Sequence, residues 1–430
     1  MTGVPKIAVT SVGCKLNRYE IQLFSESMRP YGFEGVPFNQ MADCYVINTC
    51  SVTADADLSS RQLIRRAKRR NPEAKVVVTG CYAHLQPEAM RELEVDLIVS
   101  NREKEELPQK VLRLFGIDNL ENESDSFNQD SVITSMDGLT RAFVKIEDGC
   151  DEQCTFCTIW MARGPVALRP VVNIIKEVNK LESNGFKEIA LTGVHIGKYS
   201  NYRLNLHGLL KLILDQTSIE RIRLSSLNPI EIDNELIALM VSDKRICPHI
   251  HLSLQSGDDS ILKAMGRKYN QETIIDVIGK LLSAIPNITI GADIIVAFPG
   301  ESEGNFQNTY RLVESSELHH LHIFPYSDRP GTPAAFMGAK VGPAVKAKRT
   351  DLLRKLGREK KLEHLKKFVS RKLSVLFENR ESRKDGMMTG LSENYLRVIS
   401  KEIPQFKGSL VDVYPCAIQN DTLIADTTLG

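Results

Sequence analysis

The sequence predicts an α/β protein of three units. These are an N-terminal parallel α/β sheet domain, a central partial (β/α)6 barrel and a small C-terminal β-barrel. Three observations predict it. The first third alternates apolar runs of strand length with amphipathic segments of helix length, a pattern that builds parallel sheets. From Arg141 to Phe324 the alternation resumes, with too few strands for the eight-unit barrel. After Lys372 short alternating strands follow one another closely, as in small closed barrels.

In chain order, Lys6–Gly13 reads as a buried strand ending at Cys14. Asn17 with Glu20 three residues later has the form of a capping box, starting a helix that runs to about Met28. Asp43–Asn48 is a second strand, ending at Thr49-Cys50, and Leu58–Arg70 a helix with a basic face. Lys75–Gly80 is a third strand, ending at Cys81; Glu94–Val99 is a fourth and Leu107–Phe115 a closing helix. Cys14, Cys50 and Cys81 thus fall at the carboxyl ends of successive strands, which share the ligand-binding edge of a parallel sheet. Cys44, Cys247 and Cys416 read as small apolar side chains.

Asp118–Asp130 is acidic and polar and reads as a linker. Beyond it Arg141–Ile146 alternates as a strand and leads into Gly149-Cys-Asp-Glu-Gln-Cys-Thr-Phe-Cys157. Three thiols converging from one loop bind a metal or a cluster. Both triplets, Cys150/Cys154/Cys157 and Cys14/Cys50/Cys81, leave one position without a protein ligand, the mark of a reactive site.

Further barrel strands are expected at Lys187–Thr192, Arg221–Ser225, His249–Leu254, Ile288–Val296 and Leu318–Phe324. Helices fill the gaps at Val172–Ser183, Gln271–Ser283 and Gly304–Ser316. Barrel chemistry sits at the carboxyl ends of strands, where the Cys150 loop, Thr192-Gly193, Ser225-Ser226, Gln255-Ser256 and Pro325-Tyr326 fall. His249, His251, His319, His320 and His322 read as structural histidines, and Phe298–Glu301 and Arg329–Pro333 as turns.

Val345–Phe368 is a long basic helix, followed by strands at Leu373–Phe377, Met387–Leu391, Tyr395–Ile399, Leu410–Tyr414 and Thr422–Ala425. The apolar fraction of 42% and charged fraction of 25% fit an ordinary soluble chain. No run is long enough to span a membrane and the N-terminus carries no signal peptide, so a cytoplasmic, reducing setting is expected. There, nine cysteines point to metal chemistry rather than disulfides. The net charge of +1 neither favours nor excludes a polyanion, but Arg61–Arg70 carries six basic residues in ten and Lys346–Lys372 is also basic. Both stretches are candidate RNA contacts.

Cys150-x3-Cys154-x2-Cys157 with Phe156 resembles the radical S-adenosylmethionine signature. A three-cysteine domain before it and a TRAM-like barrel behind it resemble the methylthiotransferase family. Gly13–Glu20, Ala162–Pro165 and Phe324–Pro333 are most similar to its threonylcarbamoyladenosine-tRNA branch. The resemblance implies a cluster-binding domain over residues 1–117, a linker over 118–137, a radical S-adenosylmethionine domain over 138–366 and an RNA-binding domain over 367–430. It implies two 4Fe–4S clusters on the two triplets, with Phe156, Thr192, Gly193, Ser225 and Gln255 beside S-adenosylmethionine. Four features depart from the pattern: Thr158-Ile-Trp160, Ala167-Leu168, Asn228 where Glu is expected, and Ala297 where Gly is expected.

On this resemblance the Cys14/Cys50/Cys81 cluster carries an extra sulfur that one S-adenosylmethionine methylates. A second is reductively cleaved at the Cys150 cluster, and the resulting radical activates adenine C2 at position 37 of the tRNA anticodon loop. Radical chemistry is needed because an inert aromatic C–H bond resists polar displacement. An external electron donor and a sulfur source are required. Alternative substrates are prenylated adenosine or an aspartate of a ribosomal protein. A non-catalytic metal-containing RNA-binding protein is the rival outside this chemistry.

Overall fold

The structure, a computed structural model, describes residues 4–117, 131–201, 204–378, 386–401 and 403–425. The acidic run at 118–130 lies outside the described residues. The rest of the expected linker is anchored: Ile133 is buried, and Thr134 and Ser135 donate to Glu26 at 2.8–2.9 Å.

The N-terminal unit is a five-stranded, all-parallel sheet. Lys6–Ser11 is flanked by Glu34–Val36 and Cys44–Thr49, followed outward by Lys75–Gly80 and Leu97–Ile98. Glu34–Val36 was not expected, because Glu-Gly-Val offers no apolar alternation. The first helix starts at Lys15 with Cys14 as its cap, two residues before the expected start. Asn17 and Glu20 form no capping box. Both are buried, and Asn17 donates to Val12 O and Thr49 O.

The central unit has the six expected parallel strands, in two three-stranded halves. Ala142–Lys145, Glu188–Thr192 and Arg221–Leu224 form one half; His249–Gln255, Thr289–Val296 and His320–Pro325 form the other. Single parallel bridges, Ile222 to Ile246 and Leu227 to Leu252, join them. One apolar cluster runs from Phe24, Val46 and Val77 of the N-terminal unit into Ile174, Leu191 and Ile222 of the barrel unit. The two units therefore share a core.

Ala297 follows the fifth barrel strand with φ 63°, in the left-handed region that favours glycine. That explains why a glycine is expected there. Ala297→Gly should raise the free energy of unfolding by roughly 1 kcal/mol, seen as a higher thermal midpoint. An unchanged midpoint would mean that the backbone there carries no strain.

The long helix Pro343–Lys366 packs on the last barrel strand and stacks His364 on His319, ring centroids 3.7 Å apart. Burial lowers His319 to about 4 and His364 to about 3, so both are neutral at pH 7. As pH falls below about 6.5 the unfolded chain takes up protons that the folded chain does not. Stability is therefore complete above that value and lost between about 6.5 and 4, by roughly 3 kcal/mol for His319 alone. His364→Phe should flatten this loss in thermal unfolding measured from pH 7 to pH 4.5. An equally steep loss in the variant would show that other groups govern it.

The C-terminal unit is a six-stranded sheet, antiparallel except where Arg397–Lys401 pairs with Thr422–Ala425. Its edge strands, Leu410–Val413 and Pro415–Gln419, are separated in sequence by Tyr414 alone, so the sheet curls on itself. It caps the amino ends of the barrel strands. Arg221 donates to Ser374 O at 2.6 Å, Arg223 to Ser392 O at 3.2 Å, and Tyr395 stacks on His249 at 4.1 Å.

Candidate active site between two cysteine triplets

Topology brings the first triplet together as expected. Cys14 caps the first helix, Cys50 follows the third strand and Cys81 opens the short helix Cys81–Leu85. Gly13 has φ 88°, and a Cβ there would overlap the Cys50 sulfur. A Cβ on Gly80 would likewise overlap Thr49 O. Only glycines let these strand ends approach so closely. Cys50 and Cys81 are buried; Cys14 is solvent-accessible, and desolvation by the groups packed around it pushes its thiol up. Desolvation pushes the Cys50 thiol up to about 12. A bound cation reverses that preference, because a coordinating thiol is held deprotonated. An all-thiol donor set of three fits an iron–sulfur cluster with one open iron.

The second triplet lies on a loop closed by the short pairing of Glu147–Asp148 with Ala167–Leu168. Gly149, at φ 81°, passes so close to Pro165 O that a Cβ would overlap it. The loop is pinned by Cys150 N to Gly164 O at 2.9 Å and Thr155 N to Met265 O at 3.0 Å. Each sulfur has one polar neighbour. His195 Nδ1 lies 3.7 Å from Cys150, Arg267 Nη1 donates to Cys154 at 3.5 Å, and Ile159 N donates to Cys157 at 3.4 Å. Burial pushes Cys157 up to about 12. This donor set fits the same kind of group as the first.

A cavity of about 190 Å³ opens beside Cys157, the last thiol of the second triplet. It is lined by Phe156, Cys157, Gln255, Asp293 and Tyr326 of the barrel, and by Val52 and Thr53 next to Cys50. Of the five expected cofactor neighbours, Phe156 and Gln255 line it. Thr192, Gly193 and Ser225 lie on the same edge but outside its lining. A Cβ on Gly193 would overlap the Glu147 carboxylate, and Ser225 accepts a hydrogen bond from Lys15 Nζ at 3.2 Å. Gln255 has φ 66°, where the register of its strand shifts. Strain of this kind concentrates at functional sites.

Residues that carried no expected site role hold the two loops together. Arg163, with its side chain 3% exposed, donates to Glu20 and Asp148 at 2.8 Å and to Asn17 at 2.7 Å. Glu20 also accepts from Lys104 at 2.7 Å. Burial alone would raise Glu20, but the two cations hold it well below the usual carboxylate range. Asn101 donates to Cys81 Sγ at 3.7 Å and to Ala162 O at 2.9 Å, while Thr158 donates to Ser51 O at 3.3 Å. Arg329, expected in a simple turn, is buried and donates to Ser51 and Asp57.

Two departures from the expected pattern also find places. Trp160 lies on the short helix Ile159–Arg163, which packs on the Cys81–Leu85 helix. Asn228 forms a reciprocal capping box with Glu231, so that Glu231 supplies the carboxylate that meets His195. Desolvation would lower His195, but its contacts with Cys150 and Glu231 raise it to about 9. Desolvation raises Glu147 to about 7.

The barrel histidines do more than fill space. His251 Nε2 and His322 Nδ1 lie 2.9 and 3.1 Å from the same oxygen of Asp293, and His320 meets His322 at 2.9 Å. His251, Asp293 and His322 offer ligand atoms within 4.8 Å of one another. Their mutual hydrogen bonds already satisfy these atoms, in keeping with a structural role.

The family described as Uncharacterized protein family UPF0004 matches residues 6–100, and the Radical SAM superfamily matches residues 144–313. The threonylcarbamoyladenosine tRNA methylthiotransferase MtaB of Aquifex aeolicus is 40% identical, over 95% of this chain and 99% of that protein. The enzyme of the same name from Bacillus subtilis is 35% identical over 95% and 93%. The tRNA-2-methylthio-N(6)-dimethylallyladenosine synthase of Ehrlichia canis is 32% identical over 89% and 90%. Among solved structures, the radical S-adenosylmethionine methyltransferase TsrM of Kitasatospora setae, with cobalamin and a 4Fe–4S cluster, superposes with a TM-score of 0.56. It is 13% identical over 77% of each chain, a likeness of fold alone.

Proposed function

We propose, from the premise that the chain belongs to the threonylcarbamoyladenosine tRNA methylthiotransferase family, that it adds a methylthio group to C2 of threonylcarbamoyladenosine at position 37 of tRNA. The observation that carries this reading is the contact between the loops of the two thiol triplets, where Thr158, next to Cys157, donates to Ser51, next to Cys50. S-adenosylmethionine and an iron–sulfur cluster belong to the radical part of the family. A second cluster on Cys14, Cys50 and Cys81 completes the site. Clusters held by Cys150, Cys154 and Cys157 and by the first triplet supply reductive cleavage of S-adenosylmethionine and the sulfur to be transferred.

The protein's own residues bind, orient and exclude water. The three thiols of each set would hold a cluster. Phe156 and Gln255 wall the cavity that would receive S-adenosylmethionine, and Thr192, Gly193 and Ser225 form the neighbouring strand-end edge. Arg163, Arg329 and Asn101 fix the two loops against each other, so that activation and sulfur delivery converge on one atom.

The division into units at 1–117, 138–366 and 367–430, with a linker at 118–137, follows this allocation of tasks. The C-terminal sheet is consistent with a TRAM-like RNA-binding unit. On the helix Ala54–Arg70 part of the basic run serves the fold: Arg61 donates to Tyr82, Lys68 to Glu94 and Arg70 to Phe38 O. Arg65, Arg66 and Arg69 are exposed and available to RNA phosphates. Among the described residues no helix is long and apolar enough to cross a membrane. We place the activity in the cytoplasm, with an external electron donor and sulfur source.

Mass spectrometry of tRNA nucleosides from a strain lacking the gene tests the reading. The methylthio form of threonylcarbamoyladenosine should disappear while its unthiolated precursor accumulates. Loss of methylthio groups from prenylated adenosine, or from a ribosomal-protein aspartate, would move the activity to that substrate.

A further inference from the structure

We propose that Lys15 binds the threonyl carboxylate of the substrate nucleoside, in a barrel lumen made positive by Arg141 and Arg223, and so selects threonylcarbamoyladenosine over the uncharged prenylated form. The proposal deepens the reading that threonylcarbamoyladenosine in tRNA is the substrate, and rests on it.

The lumen holds more positive than negative charge. Lys15 follows Cys14 on the first helix, and its Nζ reaches across to donate to Ser225 Oγ of the barrel at 3.2 Å. That partner is a neutral hydroxyl, and among the described residues Lys15 forms no ion pair. Arg223 and Arg141 repel it, and Glu188 is the carboxylate that attracts it. Glu188 is already shared. Fully buried, it accepts from Arg223 at 2.9 and 3.1 Å and also faces Arg221 at 3.6 Å and Arg141 at 3.8 Å. Glu393, 3.9 Å from Arg221, is the other acid in the group. Four cations thus meet two carboxylates, and three of the cations are guanidinium groups that never lose their charge.

Two polar groups in the lumen are also left open. Among the described residues, Arg141 Nη1 is buried without a hydrogen-bond partner, and so are both ring nitrogens of His249, which is 4% exposed. Lys15 and Arg223 both act on His249. The strand face that carries it continues to His251, which meets Asp293, a wall of the cavity beside Cys157. Buried charge without a counter-charge and buried donors without acceptors are costly, and an entering anion with oxygen acceptors offsets that cost.

The substrate carries such an anion. Its threonylcarbamoyl group hangs from N6 of adenine, on the edge of the base that also holds C2, and ends in a free carboxylate. A prenyl group ends in methyls. Because Lys15 directly follows Cys14, its ammonium stands beside the triplet proposed to deliver sulfur to C2.

The test is fluorescence-anisotropy binding of the anaerobically reconstituted full-length protein to anticodon stem-loops of one sequence. Position 37 carries threonylcarbamoyladenosine, its threonyl methyl ester, or unmodified adenosine. The unmutated protein should bind the acid about 10-fold more tightly than the ester, the effect of one charge-assisted hydrogen bond. Lys15→Gln, which keeps a donor towards Ser225, should bind acid and ester alike, whereas Lys15→Arg should keep most of the preference. In turnover the loss should appear in KM for the stem-loop rather than in kcat. If Lys15→Gln weakens all three stem-loops equally, Lys15 is a phosphate contact and the inference is overturned. An undiminished preference for the acid overturns it too. If Lys15→Gln loses its iron, Arg141→Gln, which leaves the Cys14 turn intact, carries the test by narrowing the acid-to-ester ratio; an unchanged ratio there refutes the inference. Equal binding of acid and ester by the unmutated protein refutes it while sparing the substrate reading. Binding and modification of a prenylated stem-loop instead would overturn the substrate reading itself.

Discussion

Cys150→Ala is expected to abolish formation of 5′-deoxyadenosine from S-adenosylmethionine, whereas Cys14→Ala should retain that cleavage and lose methylthio transfer. The asymmetry follows from placement. Cys150 belongs to the barrel loop that carries Phe156, where S-adenosylmethionine is proposed to bind, whereas Cys14 caps the first helix of the N-terminal unit. Removing a thiolate from a three-thiol site leaves an iron without its protein ligand, and no neighbouring cysteine stands in reserve. Cys44 is buried at the amino end of its strand, opposite the end that leads to Cys50, and Cys247 is buried, beside Arg223 and Glu188. The measurement is anaerobic turnover with separate quantitation of 5′-deoxyadenosine and methylthio nucleoside, alongside iron content. About eight irons per chain are expected in the unmutated protein and about four in either variant. Normal cleavage by both variants would refute the division of labour.

The second large effect is expected at Arg163. Its guanidinium ties Asn17 and Glu20, on the helix that Cys14 caps, to Asp148, two residues before Cys150. Arg163→Met removes a buried cation and leaves Glu20 with Lys104 and the neutral donor Asn48 Nδ2. Breaking such a network by removing one partner costs about 3 kcal/mol, which a fall in the thermal midpoint would show. The chemical consequence should exceed the structural one. A misplacement of about 1 Å between reacting centres lowers rates roughly 100-fold. 5′-Deoxyadenosine should continue to form while methylthio product falls by about that factor. A parallel fall of both products would instead mean that Arg163 supports only the fold of the Cys150 loop.

The elements that were legible in the sequence are those whose signal is local. Lys75–Gly80 and Leu373–Phe377 were expected with the bounds that the structure has, because apolar runs flanked by polar residues mark them. The six cysteines declared themselves by spacing within one loop, or by position at strand ends. The supporting groups did not. Arg163, His195, Glu231 and Arg329 act through partners far away in sequence; Arg329 meets Asp57 across 272 residues. No periodicity encodes such a pairing. Asn17 and Glu20 misled for a related reason. Their spacing fits a capping box, but the tertiary demands of Arg163 and Lys104 claimed both side chains. Ala297 is an intermediate case, in which the expected residue type was legible before its cause, a left-handed backbone, was visible.

The core that runs from Phe24 and Val46 into Leu191 and Ile222 has a consequence for the order of events. Units joined by an interface of this kind do not hinge readily. The gap between the triplets is thus a fixed aperture rather than a joint. On the mechanism that the family resemblance implies, in which S-adenosylmethionine serves two tasks, opening and closing of such an aperture cannot separate them. They must be separated by traffic, with spent molecules leaving and fresh ones arriving at a stationary site. The timetable of the reaction then lies in exchange rates at the cavity mouth rather than in the motion of the protein.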